Sequence, residues 1–299
     1  MREIIKFDTY EEGAIKLIND LKFIINRDRK FKDKPPVLML SGGVDSMLLG
    51  CIAKKYFGLK DSITVGVVKD THDVKVSQDT AEKLGINNKL VLTTLEEVMD
   101  NLHLIKGHQR ISSLFNVVYY LTFKLCLEKI DVKGVDLIQG DGADTLLGSL
   151  QTFMYRQTPV AMKEYNVDKD TAKTILKQNY YAEALQSNEH SAKKGSGHLF
   201  LEVANELGAN PIMAFKNPDI LRWVNDLHYG YAKPHSKTFP KEVIKYMGYS
   251  PDKVKRTVME QGTGIFEVME EKLILMTGAN SRNGAVKKFV NSGATLPGF

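Results

Sequence analysis

The chain has 299 residues, 43% of them hydrophobic, enough to bury one large core or a core with a smaller appended domain. No apolar run approaches the roughly 20 residues of a membrane helix, and the N-terminus lacks the apolar core of a signal peptide, so a soluble cytoplasmic protein is expected. The net charge of +5 and pI near 8.9 suit a polyanionic ligand but are too diffuse to specify nucleic acid, and the two cysteines, Cys51 and Cys126, form no Cys-x-x-Cys pair for zinc, redox or sulfur chemistry.

Ala14, Leu17, Ile18, Leu21 and Ile25 fall three or four apart, which predicts a leading helix within residues 10–27. Arg27 to Lys34 follows as a basic connector expected to be solvated. Pro35 and Pro36 hold the chain extended, and Val37 to Leu40 read as a strand buried on both faces. Then comes Ser41-Gly42-Gly43-Val44-Asp45-Ser46, opening a buried helix through Met47-Leu48-Leu49. Without Cβ atoms, Gly42 and Gly43 let backbone N–H groups approach a phosphate, the hydroxyls of Ser41 and Ser46 add donors, and the helix N-terminus adds positive potential. Asp45 would repel a phosphate unless a divalent cation lay between them, so it points to a magnesium-bound polyphosphate.

Ser62 to Val68 predicts a second strand, Asp73 to Leu84 a helix, Lys89 to Thr94 a third strand, Leu95 to Leu104 a helix and Ser112 to Ile130 a long helix. Phe115, Tyr119, Tyr120 and Phe123 in that helix read as a core stripe rather than a base-stacking platform. Val135 to Ile138 predicts a fourth strand, entering Gln139-Gly140-Asp141-Gly142-Ala143-Asp144, a second glycine-rich acidic turn. Strand and helix alternating four times predict an α/β fold with a doubly wound parallel sheet, both turns opening at the carboxyl ends of the strands. If Asp144 faces the first turn, Asp45 and Asp144 share magnesium, leaving Asp141 for proton transfer or for orienting a substrate amine.

Beyond residue 150 the β signal fades. Asp168 to Gln186 and Leu199 to Leu207 read as helices, Ser187 to Gly197 as a flexible insertion, and Pro218 and Pro240 sit at or near helix starts. The tail from Gly278 is Gly-, Asn- and Ser-rich, a segment for a ligand or a neighbouring subunit to order, which keeps a homo-oligomer open. The expected division is 1–150, a nucleotide-binding α/β domain with a leading helix, and 151–299, a mainly helical substrate-side region.

Ser41 to Ser46 resembles the PP-loop of the N-type ATP pyrophosphatases, which split ATP between its α and β phosphates. It departs from the Walker pattern, which keeps a lysine where Asp45 stands. Gln139 to Gly148 resembles the Ser-Gly-Glu-Gly-Ala/Ser-Asp-Glu-Leu-Phe-Gly-Gly segment of the asparagine synthetase and β-lactam synthetase family. Thr64-Val65-Gly66-Val67 with Asp73-Val74-Lys75, and Lys237-Thr238-Phe239-Pro240-Lys241-Glu242, are similar to further elements in the same order. The resemblance implies an adenine nucleotide α-hydrolase-like fold using ATP and Mg2+. It implies that Leu40 and Val65 offer backbone to adenine, that Ser41, Gly42, Gly43, Val44, Asp45 and Ser46, with Gly140, line the nucleotide, that Asp45 and Asp144 bind the metal, and that Lys237 contacts pyrophosphate.

The departures fall on the substrate side. Asp141 stands where the family has Glu and Gln139 where it has Ser, and around Ala214-Phe215-Lys216-Asn217 the usual Val-Pro-Phe-Leu-Asp has lost its Pro and its Asp. Residue 2 is Arg rather than a catalytic cysteine, so the expectation is a synthetase without a glutaminase of its own, with a separate glutaminase left open as partner. The expected reaction is AMP-forming: ATP adenylates a carboxylate or amide oxygen of a small molecule, and ammonia or an amine displaces AMP. The alternatives are a PP-loop enzyme that adenylates a tRNA base or nucleobase, for which the basic run from Arg29 to Lys34 and Lys287-Lys288 would serve, and a non-catalytic nucleotide-binding protein.

Overall fold

The computed structural model describes residues 9–67, 72–108, 110, 111, 113–143, 147, 150–176, 196–220, 237–251 and 265–291. Helix α1 (Tyr10–Asp28) begins where the Thr9 hydroxyl accepts the Glu12 N–H at 3.1 Å. It buries Leu17, Leu21, Ile24 and Ile25, each contributing about 1.5–3 kcal/mol. Strand β1 (Val37–Met39) leads into α2 (Val44–Phe57), which ends on Gly58 at φ 67°, a left-handed cap that glycine adopts without a Cβ penalty. Strand β2 (Asp61–Gly66), α3 (His72–Leu84) and β3 (Asn87–Leu92) follow. Next come α4 (Leu95–Asp100), opened by a Thr94/Glu97 capping box, and α5 (Leu114–Leu127), capped by Ser113. Strand β4 (Asp136–Ile138) is fully buried.

These strands form the expected doubly wound sheet, in order β3-β2-β1-β4 and all parallel, extended at the β4 edge by β5 (Asn210–Ile212). The fading β signal beyond residue 150 does not announce that fifth strand. It is three residues long and contains Pro211, which an edge strand tolerates because one side of its backbone needs no partner. Asn210 N–H donates to Val135 O at 2.8 Å and Gln139 N–H to Ile212 O at 3.0 Å.

On one sheet face α1, α2 and α3 share a core with α8 (Thr238–Tyr246), whose Phe239, Val243 and Ile244 are fully buried. On the other face α4 and α5 pack with α7 (Ser196–Glu206), α9 (Ile265–Thr277) and α10 (Arg282–Asn291). Helix α6 (Leu150–Tyr165) contributes to a third, small cluster of Ala161, Ala172 and Leu176. The stripe Phe115, Tyr119, Phe123 is core, with successive ring centroids 5.8 and 4.5 Å apart. Among the described residues no helix is long and apolar enough to cross a membrane.

Two local expectations are corrected. The basic connector is not wholly solvated, because Arg29 is 8% exposed and its Nε donates to the buried Asp136 carboxylate at 3.1 Å. Asn210 Nδ2 at 2.7 Å and the Lys30 N–H at 3.0 Å also donate to Asp136, tying connector, β4 and β5 together at one node. The tail as far as Asn291 is packed on the core rather than loose, since α10 buries Ala285, Val286, Phe289 and Val290 and accepts the Gly107 N–H on Val290 O at 2.8 Å.

Candidate active site

The first turn leaves β1 at its carboxyl end and enters α2 through Gly43, an N-cap that supplies no side-chain hydrogen bond. The leading N–H groups of α2 are therefore not consumed by a capping side chain, the arrangement that suits an anion. The turn is braced from within: Ser46 Oγ donates to Gly43 O at 3.0 Å, Ser41 Oγ accepts the Gly43 N–H at 3.3 Å, and the two serine hydroxyls lie 3.2 Å apart. Gly42 takes φ +74°, and a Cβ there would come within 2.7 Å of Ser77 N and 2.8 Å of Val76 C, backbone atoms of α3. Only glycine fits that crossing.

Leu40 and Val65 sit at the ends of β1 and β2 beside the turn. The Leu40 N–H donates to Ile63 O at 2.8 Å, and its carbonyl accepts the Thr64 hydroxyl at 2.8 Å, leaving that oxygen its second lone pair. The Thr64 and Ser62 hydroxyls also lie 3.1 and 3.0 Å from Asn88 Oδ1, within reach to share their protons with it, so the floor of this region is a buried polar network.

Strand β4 brings the second turn alongside the first. A Cβ on Gly140 would lie 3.0 Å from Ser46 N and 3.3 Å from Asp45 C, so the absence of a side chain lets the two turns touch. The Lys237 ammonium, arriving at the N-cap of α8, is hydrogen-bonded to Asp45 Oδ2, with side chains 18% and 17% exposed. Lys237 has φ 45° and ψ 42°, a left-handed conformation uncommon outside glycine, at a cost of about 1–3 kcal/mol.

Asp141, the next residue on the second turn, accepts a 2.6 Å hydrogen bond from Lys216 Nζ. The Lys216 side chain is 4% exposed and Asp141 31% exposed, so the lysine stands behind the carboxylate. Lys216 closes a 3-10 turn (Ala214–Lys216) after β5. The pairing was missed in the sequence because its members lie 75 positions apart, although the departure at Ala214 to Asn217 marks the segment. Gln139 Nε2 donates to Tyr119 Oη at 2.5 Å. Burial, then the Asp141 charge, holds the Tyr119 hydroxyl well above the usual phenol range, so it stays protonated.

Of the expected site residues, the structure brings together Leu40, Ser41, Gly42, Gly43, Val44, Asp45, Ser46, Gly140, Asp141 and Lys237, with Val65 at the neighbouring strand end. Asp144, the second expected metal ligand, lies outside the described residues. Among the described residues no group of three or more His, Cys, Asp or Glu gathers to hold a metal. One hard carboxylate oxygen set at Asp45 fits Mg2+, which commonly takes one or two carboxylates and completes its shell with phosphate oxygens and water.

Residues 26–229 match the sequence profile of the asparagine synthase family. The chain belongs to the asparagine synthase family. A glutamine-hydrolysing asparagine synthetase 1 from Bacillus subtilis (strain 168) is 27% identical over 160 residues, a match covering 52% of this chain and 24% of that relative. This member of the family thus spans about a quarter of the curated relative it matches. Among solved structures, an NMN synthetase from Francisella tularensis aligns with a TM-score of 0.44 at 16% identity, covering 98% of this chain and 100% of that one. An NH3-dependent NAD synthetase from Campylobacter jejuni aligns with 0.37 at 16% identity, covering 70% and 96%. A U34-tRNA thiolase from Methanococcus maripaludis aligns with 0.36 at 16% identity, covering 93% and 78%.

Proposed function

We propose that this chain is an ATP-dependent, AMP-forming carbon–nitrogen ligase that activates a carboxylate or amide oxygen of a small molecule and transfers ammonia or an amine to it. The observation that carries the reading is the convergence of Lys237 and Asp45 on the Ser41–Ser46 turn, in a chain of the asparagine synthase family.

The turn and the N-terminus of α2 cradle the phosphates through backbone N–H groups and the hydroxyls of Ser41 and Ser46, and the backbone of Leu40 and Val65 faces the adenine. Asp45, with Asp144, would hold Mg2+, which supplies charge neutralisation to the polyphosphate when bound. The acceptor oxygen attacks the α-phosphorus, the bond to the bridging α–β oxygen breaks, and pyrophosphate leaves with the electron pair. Lys237 is the chain's own cation at that position: its ammonium turns from Asp45 toward the pyrophosphate as negative charge builds there. Nitrogen then attacks the activated carbon, and AMP departs with the bonding pair. Asp141, at the second turn and hydrogen-bonded to Lys216, would accept a hydrogen bond from neutral ammonia or amine and so orient the nucleophile with no second cation at the carboxylate. Nitrogen arrives as neutral ammonia, as a small amine or from a separate glutaminase, and the proton it sheds as the C–N bond forms passes to solvent.

Pyrophosphate release tests the assignment. It should require ATP, Mg2+, a small carboxylic acid and ammonium together. Release that needs tRNA and ignores every acid would replace this reading with nucleic-acid modification, and nucleotide binding without release under either condition would leave a nucleotide-binding protein.

A further inference from the structure

The Lys216–Asp141 pair bears on which acids the site accepts. Asp141 is one residue from Gly140, where a Cβ would lie 3.0 Å from Ser46 N, so Asp141 follows directly on the contact between the two turns. The pair is built into the fold from three directions. Lys216 comes from the turn after β5. Gly142, at φ +98°, passes so close that a Cβ would meet Lys216 Cγ at 2.8 Å. Gly197, in the first turn of α7, leaves the ammonium its space: a Cβ there would overlap Lys216 Nζ and approach Asp141 Oδ2 to 3.0 Å.

A carboxylate in this place is suited to hold a substrate's ammonium, but Asp141 already holds one from its own chain. A second cation would have to share the carboxylate with Lys216 at a separation of a few ångströms, where like charges repel by several kcal/mol at about 4 Å even in a moderately polarisable site. The alternative is to part Lys216 from Asp141, which gives up a 2.6 Å charge-assisted hydrogen bond made by a side chain only 4% exposed, at about 1.5–3 kcal/mol. An acceptor with no ammonium near Asp141 meets neither penalty.

We infer that the Lys216–Asp141 pair makes the site select acceptor acids that carry no ammonium group, and rejects α-amino acids of the same length. This rests on the ligase reading for the location of the acceptor, and its test uses binding so that the two are separable. Affinities are measured by calorimetry, with Mg2+ and α,β-methylene-ATP present, for matched acids of two to six carbons with and without an α-amino group: acetate and glycine, succinate and aspartate, glutarate and glutamate, adipate and 2-aminoadipate. For the pair of best-fitting length, wild-type protein should bind the amine-free acid at least about tenfold more tightly. Lys216→Met should cut that ratio by about tenfold, and Lys216→Gln, which keeps a donor to Asp141, serves the same purpose where the methionine variant does not fold. Gly197→Ala, which displaces the ammonium without removing it, should give an intermediate ratio. Equal or tighter binding of the amino acid by wild-type protein, a ratio unchanged in the folded Lys216 variants, or no binding of any amine-free acid would overturn the inference. Selective binding without pyrophosphate release would overturn the ligase reading and keep the selectivity; pyrophosphate release with α-amino acids alone would do the reverse.

Discussion

The ammonium of Lys237, at the start of α8, is hydrogen-bonded to the carboxylate of Asp45 in the first turn of α2, 192 positions earlier in the chain. The two residues assigned to leaving-group charge and to the metal thus hold each other, and a bound magnesium polyphosphate would exchange that contact for two new ones. Lys237 makes this contact from a left-handed backbone, φ 45°.

If Lys237 acts on the departing pyrophosphate, its charge matters most as the α–β bond breaks. Lys237→Ala should lower kcat for pyrophosphate release by about 10²-fold or more while raising the KM for ATP far less. Lys237→Arg should restore only part, because a flat fork replaces a compact ammonium. Lys241→Ala and Lys245→Ala are the controls for general loss of positive charge. Steady-state kinetics in which all three alanine variants behave alike would remove the special role of Lys237.

Asp45→Asn should abolish AMP formation while the circular dichroism spectrum is retained, because the change preserves shape and removes one metal-binding charge. Asp144→Asn should do the same. Either variant turning over at a near wild-type rate would remove that aspartate from the metal site.

Much of this arrangement was legible in the sequence where period and turn chemistry are local. The helical spacing of Leu17, Leu21 and Ile25, the apolar run of β1, the β-branched run of β2, and the glycines at 42, 43 and 140 place the first four strands and both turns. What escaped depends on partners distant in the chain. Asn210–Ile212 is a strand only because Val135 and Gln139 offer it a backbone ladder. Arg29 looks like one more solvated cation until Asp136 is placed beside it, and Lys216 looks like a surface lysine until β5 carries it behind Asp141. The polar composition of α10 hid the face formed by Ala285, Val286 and Phe289, which has a core to enter only once α5 and α9 are in place.

The contact between the two turns has its own test. Gly140→Val places a Cβ 3.0 Å from Ser46 N with two methyls beyond it, and the neighbouring atoms are backbone that cannot swing away. Urea denaturation should show a loss of about 1–3 kcal/mol, and ATP binding should weaken with it. Unchanged stability and affinity would mean that the turns do not depend on their close approach.

Asp136→Ala removes the carboxylate from the node beneath β4 and β5, leaving Arg29 buried without its counter-ion and Asn210 Nδ2 without one of its acceptors. A destabilisation of about 3–5 kcal/mol is expected by urea or thermal denaturation. A change below about 1 kcal/mol would show that the node is solvated in solution.

Burial pushes the Cys51 thiol up to about 12 and the Cys126 thiol up to about 11, so the reactive thiolate is scarce in the folded protein at neutral pH. Iodoacetamide at pH 8 should leave pyrophosphate release unchanged over hours. Both thiols are protonated below the ordinary thiol range, so their burial costs no stability there. Above it the unfolded chain loses its protons first, and stability should fall as pH rises through about 9 to 11. Rapid inactivation traced to either cysteine would contradict their burial.

The site of cleavage in ATP decides the reaction class, and phosphorus NMR of a reaction containing ATP, Mg2+, ammonium and a panel of small carboxylic acids with and without an α-amino group reads it directly. AMP and pyrophosphate should accumulate in equal amounts, dependent on both acid and ammonium, and disappear in the Asp45→Asn variant. ADP and inorganic phosphate as the products, or AMP formed without regard to acid and ammonium, would contradict the account.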